Sequence, residues 1–333
     1  KIEGVELIRI KTPKGKFLRP ISYNILSALH ALMKGHYDII HLHAVEACFI
    51  LPLLRLKYPV VSTSHGTAHS VPRDKWNKLS RTLMGALEFP FTKFSNYATS
   101  ISKVDAEDME SRYKKKVIYI PNGVDLKARV DETAGRQALK QYGINPGDFL
   151  MFAAGRIDPT KGCHLAIEAY RQLGSELPLL VLGDLEQVPA YGNSLRQMGA
   201  SCRVIFSPPV TDKAVFFGIL KQCKLFIFPS LSEGMSMMLL EAGSLGVPMI
   251  CSDIPENRAV MKDFTVYFES GSTSNLKEKL QWALEHTLEM ELLSQKASKM
   301  LASDFSWDKL VGRYETLYQA CLAGKTGIEP EFG

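Results

Sequence analysis

The rhythm of the chain constrains its fold more than any other feature. Short β-branched and aliphatic runs, bounded by Pro, Gly or Asn, alternate throughout with helical patterns of roughly 10–15 residues. Such alternation builds βαβ units, hence a parallel sheet flanked by helices. In the first part, strands are expected over 5–10, 38–43, 60–64, 97–100 and 117–120, with helices over 23–34, 46–57, 74–89 and 104–113. The turn Pro121-Asn-Gly-Val-Asp125 closes this set, and the polar stretch 125–136 reads as a connection. A second set follows, with strands over 149–154, 179–182, 204–206, 225–228, 249–251 and 266–268. Its helices fall near 164–173, 190–198, 212–222, 237–245 and 275–288. A length of 333 residues suits two domains. The expectation is an α/β chain of two Rossmann-like, doubly wound parallel-sheet domains, with ligands at the carboxyl ends of the strands, in the cleft that the domains face.

Composition narrows the class further. An apolar fraction of 46% with 23% charged residues is globular and excludes collagen, coiled coil and wholesale disorder. No apolar run approaches the ~18 residues that cross a bilayer, and the first ten residues lack the apolar core of a signal peptide. Cysteines 48, 163, 202, 223, 251 and 321 are scattered without a CxxC pair and read as reduced thiols of a cytosolic protein. Residues 1–130 carry 21 Lys and Arg against 11 Asp and Glu, whereas residues 131–333 carry 19 against 24. A basic half beside an acidic one suits an anionic substrate or surface. Nucleic acid is not expected, because basic runs with interleaved aromatics are missing.

Two stretches carry chemistry. In the first, Phe228-Pro-Ser-Leu-Ser-Glu-Gly leads from a strand into a helix starting near Ser236, whose first amides can hold phosphate oxygens. Glu233 and Glu241 are eight residues apart, about 12 Å if helical, a span that suits both ends of a sugar–diphosphate–nucleoside. Equally, Glu233 could cap the helix and Glu241 could be a solvated charge. In the second, Gly155-Arg156-Ile-Asp-Pro-Thr-Lys161-Gly162 lies between a strand and a helix, where two cations can clamp a diphosphate or simply face water.

Together these stretches resemble the retaining family 4 (group 1) glycosyltransferases of the GT-B fold. That family's G-R-x4-K-G matches Gly155–Gly162, and its P-S-x-x-E-G…E-A…G-x-P matches Pro229–Pro248. The amino half agrees through D-x-x-H-x-H at 38–43, His65-Gly66 and P-N-G-V-D at 121–125, and the end through Asp304-Phe-Ser-Trp307. The resemblance implies an acceptor-side domain over 1–128, completed by a helix at 307–322, and a donor domain over 129–306. It implies transfer of a sugar with retention, in glycan, glycolipid or cell-surface polysaccharide synthesis. A GT-B nucleotide-sugar epimerase and a catalytically impaired nucleotide-sugar-binding protein are the alternatives.

By the same resemblance, the catalytic residues are Glu233, His65, Arg156 and Lys161. Arg156 and Lys161 bind the diphosphate, Glu233 the sugar and Glu241 the ribose, while Gly234, Met235, Ser236, Met237 and Met238 lend backbone amides. Gly183 and the Pro209-Val210 loop flank the base, an assignment made from position alone. The donor is expected to be a UDP- or GDP-sugar, with no cofactor and no metal. The histidines 41, 43, 65 and 69 lack the Asp or Cys that would complete a metal set. The acceptor is expected to be a sugar or a lipid-linked hydroxyl, and the protein cytoplasmic, peripheral at the inner membrane face. Trp76, Leu79, Leu83 and Leu87, beside Lys75, Lys78 and Arg81, form a stripe that either packs on the sheet or meets anionic lipid. Family members open with a strand and a Gly-rich loop. This sequence begins at what reads as the third strand, so roughly 40 residues of that opening are expected to be missing.

Overall fold

The computed structural model describes residues 4–13, 15, 18–67 and 78–325. They cluster into two units. One holds the chain up to Pro121 and from Val311 onward, and the other is Asn122–Leu310.

The first unit has four parallel strands in the order β1 (Ile40–His43), β2 (Val60–Ser64), β3 (Tyr97–Ser100) and β4 (Val117–Tyr119). Every residue of β2 and β3 is buried. Inner parallel strands are usually aliphatic. Here Ser62, Thr63 and Thr99 are tolerated because each hydroxyl has a partner: Thr63 Oγ1 to Thr99 Oγ1 at 2.6 Å, and Ser95 Oγ to Ser62 Oγ at 2.8 Å. Val45, Leu51, Val60, Phe91, Met109 and Val117 form the apolar core. The carboxyl-terminal helix Trp307–Leu322 joins this sheet through Arg313, which donates to the Tyr119 carbonyl at 2.8 Å.

Three expectations change in this unit. Residues 6–13 form no strand, and Val5, Leu7 and Ile8 are 61%, 58% and 43% exposed, so the alternation buries no apolar face among the described residues. The helix expected over 46–57 splits into a 3-10 turn, Val45–Ile50, and a short helix, Leu51–Leu54, with Pro52 in the first turn of the latter, where its missing N–H costs nothing. The helix Lys78–Phe94 runs through Pro90, past its expected end at Phe89. In the suggested lipid-facing stripe, Lys75 and Trp76 fall outside the described residues. Leu83 is 61% exposed, whereas Leu87 packs on the core.

The second unit is a six-stranded, all-parallel sheet of β5 (Leu150–Arg156), β6 (Leu179–Asp184), β7 (Val204–Ser207), β8 (Leu225–Phe228), β9 (Met249–Ser252) and β10 (Val266–Phe268). Its order, β10-β9-β8-β5-β6-β7, is that of a nucleotide-binding doubly wound sheet, and the winding reverses between β5 and β8. The polar stretch expected as a connection instead enters a helix, Glu132–Gln141, capped by Asp131 through the Ala134 amide at 2.9 Å. That helix packs where a Cβ on Gly135 would lie 2.5 Å from the Gly218 carbonyl carbon, and Leu139, one turn on, is fully buried on the same face. The P-N-G-V-D turn and the closing Phe-Ser-Trp meet: Val124 N donates to the Phe305 carbonyl at 2.7 Å, and the Trp307 ring lies over Gly123. All six cysteines are free.

Candidate active site

The reversal between β5 and β8 places the two chemistry-bearing loops side by side at the carboxyl ends of their strands. Leu231 N donates to the Thr160 carbonyl at 2.8 Å, tying one loop to the other. Gly162 makes this possible. Its φ is +69°, and a Cβ there would come 2.0 Å from the Pro229 carbonyl oxygen. Beside these loops lies a cavity of about 270 Å³, lined by 152–155, Lys161, Phe228, Ser230, Glu233, 235–238 and Glu241.

Lys161 Nζ is 2.8 Å from Glu233 Oε1, and the Glu233 side chain is only 8% exposed. Glu233 therefore does not cap the following helix. Ser236 does, accepting from the Leu239 amide, and Met237–Ser244 follows with its first turn at the cavity. Glu241 is no solvated charge either: its side chain is 12% exposed and pairs with Lys213 Nζ at 2.6 Å. Sequence reasoning missed Lys213. The signal was its place at the start of the helix Lys213–Leu220, which follows the loop after β7. Burial raises the pKa of Glu256, and the neighbouring Glu233 charge raises it further.

The remaining expected residues spread more widely. The β5–β6 register slips between Ala154 and Arg156. The Arg156 guanidinium is half exposed and pairs with Asp158 at 2.8 Å rather than lining the cavity. Gly183 lies in β6 at φ +154°, where a Cβ would meet the Ala154 carbonyl at 2.1 Å, so its role here is close strand approach. Pro209 and Val210 follow edge strand β7 and, like Gly183 and Gly234, are not in the cavity lining.

His65 follows β2 in the first unit, in a histidine cluster. Its Nε2 is 3.0 Å from His43 Nδ1, and His41 bonds Tyr318 Oη and Thr63 Oγ1, both at 2.6 Å. Burial, then the charges of His43 and His65, lower the His41 pKa from 6.5 to about 3. Among the described residues no three His, Cys, Asp or Glu side chains are grouped to hold a metal, and no helix is long and apolar enough to cross a membrane.

Residues 136–300 match the family model for group 1 glycosyl transferases, and residues 1–128 match that for glycosyltransferase family 4. The chain is 23% identical to the O-antigen biosynthesis glycosyltransferase WclY of Escherichia coli, over 85% of this chain and 79% of that protein. It is 29% identical to the UDP-Gal:alpha-D-GlcNAc-diphosphoundecaprenol alpha-1,3-galactosyltransferase of Escherichia coli, over 72% of this chain and 64% of that one, so it spans less than two thirds of this relative. Among solved structures, Anabaena HepE in complex with UDP and glucose has a TM-score of 0.76 at 18% identity, covering 92% of this chain and 84% of that one. Sucrose-phosphate synthase from Thermosynechococcus elongatus also reaches 0.76, at 17% identity, over 92% and 78%. Two parallel α/β units in the GT-B manner and two adjoining family matches agree: this chain belongs to the group 1, family 4 glycosyltransferases.

Proposed function

We propose that this glycosyltransferase moves a sugar from a nucleoside diphosphate sugar, UDP- or GDP-linked, to an acceptor hydroxyl with retention. One observation carries the reading: Lys161, Glu233, Glu241 and a helix amino terminus border a single cavity at the winding reversal of the second sheet. A lysine ammonium has three N–H donors. One goes to Glu233, leaving two for diphosphate oxygens, while Glu233 turns its second oxygen to a sugar hydroxyl. Glu241, held by Lys213, accepts from the ribose hydroxyls. Arg156 is proposed to add charge to the diphosphate from the rim, and His65 to supply the catalytic group of the first unit.

The reaction is drawn as same-face substitution. The bond from the anomeric carbon to the diphosphate oxygen breaks, the acceptor oxygen bonds to that carbon from the same side, and the acceptor proton passes to the departing diphosphate. Lys161 and the amides starting at Met237 stabilise the charge growing on that leaving group, the kind of preorganised electrostatics that dominates such barriers. Protein cations meet this charge, so no metal is required. HepE, solved with UDP and glucose, and the UDP-Gal-dependent relative support a UDP-sugar donor. That relative's lipid-diphosphate acceptor and the exposed Leu83 favour a lipid-linked acceptor at a membrane.

The test is a panel of UDP-glucose, UDP-galactose, UDP-N-acetylglucosamine and GDP-mannose. It is read by thermal shift and by nucleotide release, with and without EDTA. One donor should stabilise the fold and turn over in EDTA. No stabilisation by any of them would overturn the donor site, and loss of turnover rescued by magnesium would overturn the metal-free mechanism. Sedimentation with anionic but not neutral vesicles checks the lipid side.

A further inference from the structure

We infer that His43 is a positioning residue for this reaction: its Nδ1–H donates to His65 Nε2, which fixes the His65 ring in one tautomer and leaves only His65 Nδ1 to meet a ligand. The inference rests on the proposed catalytic role of His65.

Geometry carries it. The two nitrogens are 3.0 Å apart, a separation at which one ring must donate and the other accept. His65 therefore has one of its two nitrogens committed, and the remaining one is defined in direction. The His43 ring is itself held, stacked on His41 with centroids 4.2 Å apart, and His41 is pinned by Thr63 and Tyr318. The chain leaves β1 immediately after His43 through Ala44, whose φ is +77° and ψ 136°. A residue with a Cβ rarely adopts that conformation, and such strain is retained where a neighbouring side chain must be aimed.

His43 stacks on His41, which in turn meets Tyr314 and Tyr318 of the carboxyl-terminal helix, and Glu46 on the turn after β1 is the charge that acts on His65. Burial and His65 lower the His43 pKa. Burial lowers that of His65, while the Glu46 charge opposes the change. Both rings are thus neutral near pH 7, the state in which one donates and the other accepts. Without His43, the neutral form of His65 loses its bond, so the His65 pKa should rise.

The test uses the full chain carrying nitrogen-15 histidine. In the wild type, His65 should show one fixed tautomer and titrate below 6.5. His43→Ala, and His43→Phe, which keeps a ring against His41, should release a tautomer mixture and move the midpoint upward. His43→Asn can place an amide where Nδ1 was and should restore both. With the donor that turns over in the panel above, His43→Ala and His43→Phe should lower kcat on the order of 10- to 100-fold, leave the donor KM within about twofold and shift the acid limb of kcat to higher pH, as expected for a misaimed group. His43→Asn should recover most of the rate. Unchanged His65 signals, or an unchanged kcat and acid limb, in His43→Phe would overturn the inference. The separate control is His65→Ala. If it turns over normally, the catalytic role of His65 fails; if it is impaired, adding His43→Ala should cost nothing more, and a further loss would mark His43 as merely structural.

Discussion

Lys161, Glu233, Glu241 and Lys213 form two tight pairs at the cavity, and their partners decide what each substitution does. Lys161→Ala removes a charge from the leaving group and leaves Glu233 nearly buried without its counterion. We expect kcat to fall on the order of 10²-fold or more, checked by nucleotide release. Glu241→Ala should weaken binding of free UDP or GDP, because the ribose is part of both. Glu233→Ala should spare that affinity while lowering turnover, because it is assigned only to the sugar. Calorimetry showing equal losses would refute this division. At His41 the effect is on stability. The unfolded residue takes a proton near pH 6.5, and the folded one only near pH 3. Between these values the unfolded chain binds more protons, so stability drops as pH falls through that window. His41→Gln should flatten the drop in denaturant titrations run from pH 7 to pH 4. Sequence reading singled out Lys161, Glu233 and Glu241, which border one cavity, through the family motifs their loops resemble. It missed Lys213 and the His43–His65 bond because the former comes from another strand's loop, and the latter depends on ring directions that spacing does not encode.

At the scale of elements, strand rhythm was legible wherever both faces are buried, as for β8, whose four residues are all apolar. It failed at 5–10, where the alternating Val5, Leu7 and Ile8 stay exposed, and at 132–141, where the short apolar face around Leu139 sits within an otherwise polar stretch. The β5–β8 junction depends on one such contact. Gly162→Ala would force a Cβ onto the Pro229 carbonyl at a left-handed φ, so the loops must part. We expect a loss of roughly 1–3 kcal/mol by analogy with strained backbone positions, together with weaker nucleotide affinity, measured by melting with and without UDP. A melt unchanged in both conditions would show that the junction yields without cost.

At the scale of the whole molecule, the two sheets differ in how they are completed. Asn122–Leu310 is continuous, whereas the first unit needs chain from both sides of it. Truncation after Leu310 removes Arg313, Tyr314 and Tyr318 from the first sheet and nothing from the second. We expect the truncated chain to keep UDP affinity within about threefold by calorimetry while its histidine cluster loses its fixed tautomers. Loss of nucleotide affinity in that chain would mean that the second unit depends on the carboxyl-terminal helix.

The same connectivity has a consequence during synthesis. A ribosome delivers the amino-terminal strands first, yet Tyr318, which caps His41, emerges only after the entire second unit has been made. The earlier-born sheet must wait with its hydroxyl-lined strands unfinished while the later-born one closes. Nascent chains of this protein should therefore acquire protease resistance out of order, the middle before the beginning.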